Sequence, residues 1–515
     1  MKAMKIITTL FLMFILTGNI SAQNKTVSGV LKFRSSNLKP IYQGTEVKGY
    51  IALYFLDKED KQNNTFVMQI FDENVNEVGQ QKISIPRSQF FVASEYDGNN
   101  ILLKFADTKA KLYDIRLFDE KGTLKKEIKI PVGKSQLYQL SAAMQANTED
   151  MMPDLFSIEN FGFINYSIED FKKTGFNINC INGDGIKWTY SSDKASDKYY
   201  AAYYYQSNED VLLSIVYRRD KLFTQDMDAF ILGLDMKTGK KLFEIPTVTA
   251  KYEISPVGAY MESNDKMVVF GQYFPKGANI IKDKSLGFGV LEINSQGKIN
   301  KEQYMTWEES VGKFEKMEGS KLKDGGYIYF HKTVKAANGN LILVGEQFRK
   351  AANGAGIAAM AMGGRSTGAT KLIITDFMFL EFDKDYKVIN AKRIEKHESD
   401  FAYPGIDYMG SMMASWLAKS MGAFDYEYTS FAADNSKFNV VYLDVDKLED
   451  SKKKEIYCGS VAYQDGKFSV DKVPFARDEK LTFVKVRPAK NGYFLVLKYF
   501  KKLKQFKLDL VKFNN

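Results

Sequence analysis

The sequence predicts an all-β fold, a closed β-propeller of seven or eight four-stranded blades with a small helical insertion. Three observations predict it: a unit that recurs along the chain, apolar runs of strand length bounded by turn residues, and two chain ends that can complete one another.

The recurring unit has a turn rich in Asn, Asp or Gly, an apolar strand, a variable loop, a second apolar strand and a turn with Gly. Asn99-Asn100 leads into Ile101-Leu102-Leu103, with a second strand in 113–122. Asn208-Glu209-Asp210 leads into Val211-Leu212-Leu213, with 229–235 following. Asn264-Asp265-Lys266 leads into 267–271 and then 288–293, and Asn338-Gly339-Asn340 leads into 341–345 and then 377–383. Fainter copies lie at 66–72, 176–185, 438–466 and 491–513. Eight units result, most of them about fifty to sixty residues apart, the size of a propeller blade. Apolar, β-branched and aromatic strands separated by turns argue for antiparallel sheet and against βαβ units.

The ends support closure. The last unit supplies strands near 481–486, 493–499 and 506–513, and an outer strand is expected from 26–33. That join removes the open sheet edges that invite aggregation.

The first residues carry a different signal. Met1-Lys2-Ala3-Met4-Lys5 is basic, 6–16 is mostly apolar, and Thr17-Gly18-Asn19-Ile20-Ser21-Ala22 is small and polar. Basic, apolar and small, in that order, is the layout of a secretory leader, and the apolar run is too short to span a bilayer. Cleavage is expected after Ala22, leaving a single propeller domain over 23–515, exported to the periplasm, the cell surface or the medium. No later run is long enough to cross a membrane as a helix. On this leader and these turns the chain resembles the uncharacterised exported propeller proteins of Gram-negative bacteria. The resemblance implies a fold and no catalytic residue.

Without Lys2 and Lys5 the formal charge drops from +9 to +7, a mild bias for a chain this long. Clusters such as Lys452-Lys453-Lys454 and Lys501-Lys502-Lys504 read as solvated edges or turns, and nucleic acid is not expected as a partner. Cys180 and Cys458 are the only cysteines, so the sequence leaves their pairing open. Two His and two Cys cannot assemble the usual zinc sites, and no cofactor is expected. The mature chain is expected to be a monomer.

Two insertions interrupt the repeat. Residues 351–370 are a Gly/Ala run with several Met, between the two strong strands of the sixth unit. Residues 401–428 follow that unit, and Met409, Met412, Met413, Trp416, Leu417 and Met421 recur there at helical spacing. A short amphipathic helix is expected, with Ser411, Ser415 and Lys419 on its other side. In a four-stranded blade, the loop between strands two and three leaves by the same face as the link to the next blade. Both insertions should therefore share one rim, where long loops are more often functional.

Several motifs fail on context. Gly354-Ala355-Gly356-Ile357-Ala358-Ala359 has the dinucleotide-binding spelling, but 349–353 intervene after the strand and the neighbours are antiparallel. An exported protein also meets little NAD. Gly364-Arg365-Ser366-Thr367-Gly368 spells a nucleophile elbow, yet a strand follows it where that motif needs a helix. Asp226 with Asp228, Asp444 with Asp446, and Glu308 with Glu309 read as solvated turns, since a glycosidase needs carboxylates that face one another. No full calcium loop is spelled. The dense aromatics Tyr199-Tyr200 and Tyr203-Tyr204-Tyr205 suit a strand and a core, with alternate rings free to stack on a sugar or a partner.

The candidate binding residues are therefore Met409, Met412, Met413 and Trp416, with His331 on a likely inner strand near the channel; no catalytic residue or metal ligand is assigned. The helix is expected either to plug the channel mouth or to dock a partner. The expected function is that of an exported, non-catalytic binding or scaffold protein of the cell envelope, taking an envelope protein or glycan on one rim. The rival is a polysaccharide-active hydrolase or lyase with carboxylates gathered in the channel. A mouth ringed by Asp, Glu and Arg would favour the enzyme, and a rim of Met, Trp and small residues the binder.

Overall fold

A computed structural model of the chain describes residues 23–145, 154–170, 173–221, 227–263, 265–363, 368–432, 436–447, 454–475 and 480–514. The expected leader, 1–22, lies outside the described residues. Among those described, eight antiparallel sheets follow one another as blades 1 to 8, each built on four strands, with Ser399–Phe401 added as a fifth in blade 6 and a two-stranded ribbon, Met317–Glu318 with Lys321–Leu322, ahead of that blade. Seven are continuous in sequence, with inner strands beginning at Leu38, Gln89, Leu155, Tyr199, Tyr252, Tyr327 and Tyr426. Blade 8 is composite. Its three inner strands span Phe483–Pro488, Tyr493–Phe500 and Gln505–Lys512, and Gln23–Ser28 adds the outermost strand antiparallel to the last of these. The closing strand therefore comes from the N-terminal part of the chain as expected, over Gln23–Ser28 in place of 26–33.

The apolar runs exist because each blade is sandwiched. Successive side chains point to opposite faces of a strand, and in a ring both faces are covered. In blade 1, Ile51 and Leu53 join the core shared with blade 2, while Tyr50 and Ala52 join the core shared with blade 8. One apolar cluster of this kind lies at each of the eight blade-to-blade junctions, and the blade 8 to blade 1 cluster closes the ring. A hydrogen bond from the Tyr50 hydroxyl to the Pro488 carbonyl (3.0 Å) reinforces that last junction.

Three α-helices are described where one was expected. Helix α1 (Lys134–Gln145) follows blade 2 and packs Leu137 and Leu140 into the junction with blade 3. Helix α2 (Gly354–Ala361) lies in the first insertion, and helix α3 (Ser411–Ser420) in the second. The α2 strand–helix junction is tighter than the spelling suggested: the strand runs to Ala352, and Asn353 alone separates it from the helix. The Asn353 side chain caps the helix on the Gly356 amide, and the next strand, Thr370–Phe382, returns antiparallel, so no dinucleotide unit forms. The elbow residues 364–367, and Asp226 of its carboxylate pair, lie outside the described residues.

Cys180 and Cys458 are free and buried in different cores, one between blades 3 and 4 and the other between blades 7 and 8. Burial pushes the Cys180 thiol up to about 12. Asp444 is not the solvated turn residue expected of it: it is buried on strand Lys437–Lys447, where it accepts from Lys472 at 2.9 Å.

Candidate functional site

The inner strands share a device that aims side chains at the channel. In blades 2, 4, 5, 6 and 7 the pairing with the second strand skips one residue, which is Val92, Tyr205, Val257, His331 and Glu427 respectively. Such bulges bend the strand and re-aim the side chains around them. No linear pattern announces them, because the bulged residues share no chemistry.

The inner strands of blades 4, 5 and 6, with α3, enclose a cavity of about 590 Å³. Tyr203, Tyr205 and Tyr217 line it from blade 4, Ser255 and Gln272 from blade 5, and Tyr329 and Lys332 from blade 6. Met412, Met413 and Trp416 close it from α3. The rings form a wall: Tyr203 meets Tyr217 edge-on at 5.9 Å, and Tyr217 meets Trp416 at 6.1 Å. Tyr204, the neighbour pointing the other way, stacks on Phe156 at 4.2 Å in the adjacent junction. The tyrosine cluster is divided by strand alternation between the two neighbouring junctions, Tyr204 on the blade 3 side and Tyr205 on the blade 5 side, and both edges of it reach the cavity.

The Tyr205, Tyr217 and Tyr329 phenols are all held above their ordinary range, first by burial; burial brings Tyr329 up to about 12. At any physiological pH they are neutral hydroxyls able to donate a hydrogen bond. Ser320 and Thr333, also lining residues, each carry a buried hydroxyl without a hydrogen-bond partner. The lining carries four cationic residues, Arg219, Lys282, Lys284 and Lys332, against one carboxylate, Asp283. That carboxylate is committed to the Asn279 amide at 2.7 Å.

Helix α3 lies over this cavity because both its ends are tied down. At its start, a Cβ on Gly410 would sit 2.4 Å from the Ile281 carbonyl, so only glycine allows this approach to blade 5. Lys350 donates to the carbonyls of Ile406 and Met409 just ahead of it. At its end, Gly422 adopts φ +66°, and the Ala423 amide bonds back to the Ala418 carbonyl at 2.9 Å, a glycine-based stop. Ala414, Ser415 and Ala418 form its innermost face. Ser415 is therefore not on a polar outer side: it is buried, its hydroxyl returned to the Met412 carbonyl at 2.7 Å. Met409 packs with Ile406 and Phe348, and Met412 and Met413 pack on Ile280 and Ile281 of the blade 5 loop. The two insertions touch, as the Ala369 amide donates to Asp407 at 3.1 Å.

His331 is part of the cavity wall, but its side chain is turned away from the space. Its side chain has no solvent exposure, stacks on Tyr426 at 4.6 Å, and its Nε2 lies 3.0 Å from Glu346. Glu346 also accepts from the Asp425 and Tyr426 amides, and Lys396 lies 3.5 Å from it and 2.5 Å from Asp425. Burial drives the imidazole well below its ordinary range, with Lys419 and Lys396 adding to the effect. Burial, with Glu346 adding to it, raises Asp425 to about 6 against the pull of Lys396. Burial opposes the charge on Lys396, but Asp425 and Glu346 outweigh it and hold the ammonium above its usual range. This buried ionic knot joins blade 6 to blade 7. Among the described residues, no three His, Cys, Asp or Glu gather as a metal's ligands would, and no helix is long and apolar enough to cross a membrane.

Comparison with known proteins places the chain in a family without giving it an activity. The profile of a family of unknown function, DUF6770, matches residues 1–514, and the chain belongs to that family. No curated protein matches it. Among solved structures, the WD40 domain of SCAP from fission yeast is similar at 5% identity, covering 82% of this chain and 92% of that one (TM-score 0.26). A post-proline cleaving enzyme from Rickettsia typhi is similar at 11% identity, covering 84% and 58% (TM-score 0.32).

Proposed function

We propose that this DUF6770 chain is an exported, non-catalytic binding protein of the Gram-negative cell envelope, which takes its ligand in the cavity beneath α3. The observation that carries this reading is the cavity's construction. Aromatic rings from two blades and a tethered helix enclose an apolar volume with a few convergent polar groups, the usual make-up of a ligand pocket. The rim chemistry is that expected of a binder: Met412, Met413 and Trp416 above, tyrosines below. A carboxylate pair for glycan cleavage is not supported there, since Asp283 stands alone in the lining and the His331 side chain is turned away from the space. The basic–apolar–small opening of the chain supports export.

Trp416 is a built-in reporter, because Trp188 and Trp307 are both buried in blade cores and can be replaced by Phe. Titrating that variant with a soluble digest of envelope polysaccharide should shift Trp416 emission saturably, and Tyr217→Ala should weaken the response. An unchanged spectrum at every concentration would count against the cavity as a glycan site. Fusing 1–22 to a reporter active only outside the cytoplasm tests export separately.

A further inference from the structure

We propose that the ligand of this cavity is an acidic oligosaccharide bearing uronic acid carboxylates, an inference that rests on the binding reading above. Two independent features converge on that class.

The first is shape and hydrogen bonding. Tyr203, Tyr217 and Trp416 set aromatic rings side by side along the cavity, steeply angled to one another, and the C–H faces of pyranose rings pack on aromatic surfaces. The phenols of Tyr203, Tyr205, Tyr217 and Tyr329 form no hydrogen bond with other described groups, and Gln272 and Ser255 add polar edges. Apolar walls set with uncommitted hydroxyls suit a polyhydroxylated ring better than an aliphatic chain, which would leave the polar groups desolvated and unpaired.

The second is charge. Arg219 lines the cavity from blade 4 and Lys332 from blade 6, and neither forms an ion pair with another described residue. Two neighbouring cations on blade 4 are committed: Arg218 is paired with Asp228 at 3.2 Å, and Lys198 with Asp220. Lys332 is exposed at the cavity wall, where the surrounding protein lowers its ammonium below its usual range, and a carboxylate arriving beside it would supply the counter-charge it lacks among the described residues. Lys282 and Lys284 stand exposed on the blade 5 loop at the same cavity, adding a positive field that draws an anion in. A planar guanidinium and an ammonium flanking ring platforms fit a carboxylated sugar, the guanidinium able to engage the carboxylate with two parallel hydrogen bonds.

The test is calorimetric titration of the full chain with tetragalacturonate and with its fully methyl-esterified, neutral counterpart. Binding of the acid form at least ten-fold tighter than the ester is expected, falling as salt is raised. Arg219→Gln and Lys332→Gln should each weaken the acid form by about ten-fold or more, the worth of a charge-assisted hydrogen bond, and leave the ester unaffected. Tyr217→Ala should weaken both. Equal affinity for acid and ester, with both lost in Tyr217→Ala, would overturn the acidic ligand and leave the cavity as a glycan site. Binding of neither sugar, with the Trp416 emission also silent to the envelope digest, would overturn both readings. Melting temperatures of the variants matching the parent's separate a loss of binding from a folding defect.

Discussion

Two sides of the ring, blades 7, 8, 1 and 2 against blades 4 to 6, are filled in opposite ways. On blades 7, 8, 1 and 2 the polar side chains neutralise one another: Glu427 meets Lys485 at 3.3 Å and Arg487 at 3.6 Å, and Lys39 meets Glu95 at 3.4 Å. On blades 4 to 6 the bulge positions hold Tyr205, Val257 and the sealed His331, and the cations Arg219 and Lys332 have no counter-charge among the described residues. One half is internally satisfied and serves as structure. The other keeps unspent hydrogen-bonding and charge capacity, which is what a binding site needs. A linear motif search sees neither, since each half is assembled from several blades.

Substitutions can break this contrast or sharpen it. The largest effect is expected at the knot that divides the halves. Lys396→Met strands Glu346 and Asp425 without their cation and should cost about 3–5 kcal/mol, read as a lower urea midpoint. In the paired half, Glu427→Gln leaves Lys485 and Arg487 facing one another and should cost about 1–3 kcal/mol. In the open half, Arg219→Gln and Lys332→Gln should stay within about 0.5 kcal/mol of the parent, because no partner is lost. A reversal of those two results would erase the distinction between the halves.

A smaller, pH-dependent effect follows from Asp425. Its folded carboxyl titrates near 6 against an ordinary 3.8, so between these values the folded state holds a proton the unfolded state has released. Stability from this group is therefore present below about 4 and is lost as pH rises to 6. Melting curves across that window should show the parent falling relative to Asp425→Asn. A constant difference between the two would contradict the raised carboxyl.

Much of the architecture was legible because physics wrote it twice. A strand buried on both faces must be apolar throughout, so Ile101-Leu102-Leu103 and Leu341-Ile342-Leu343 stand out between their Asn-rich turns. The composite last blade was readable from its missing strand. Helix α1 was not, because Leu137 and Leu140 are too few to raise a periodic signal. Met412, Met413 and Trp416 stand out by spacing and do line the cavity, as does His331 with its side chain turned away, whereas Met409 packs beside Ile406 and Phe348. Arg219 and Lys332 gave no signal of their own. The one hint to the ionic knot was Glu346, a carboxylate ending the apolar run 341–345 with no water to face.

Hydrogen exchange of the full chain, with and without the soluble envelope digest, tests the central claim most directly. The account predicts slowed amide exchange in Tyr199–Ser207, Tyr327–Lys335 and α3, with Phe483–Pro488 unchanged. Protection confined to Phe483–Pro488 and Leu38–Gln43, with α3 untouched, would place the ligand in the paired half and contradict it.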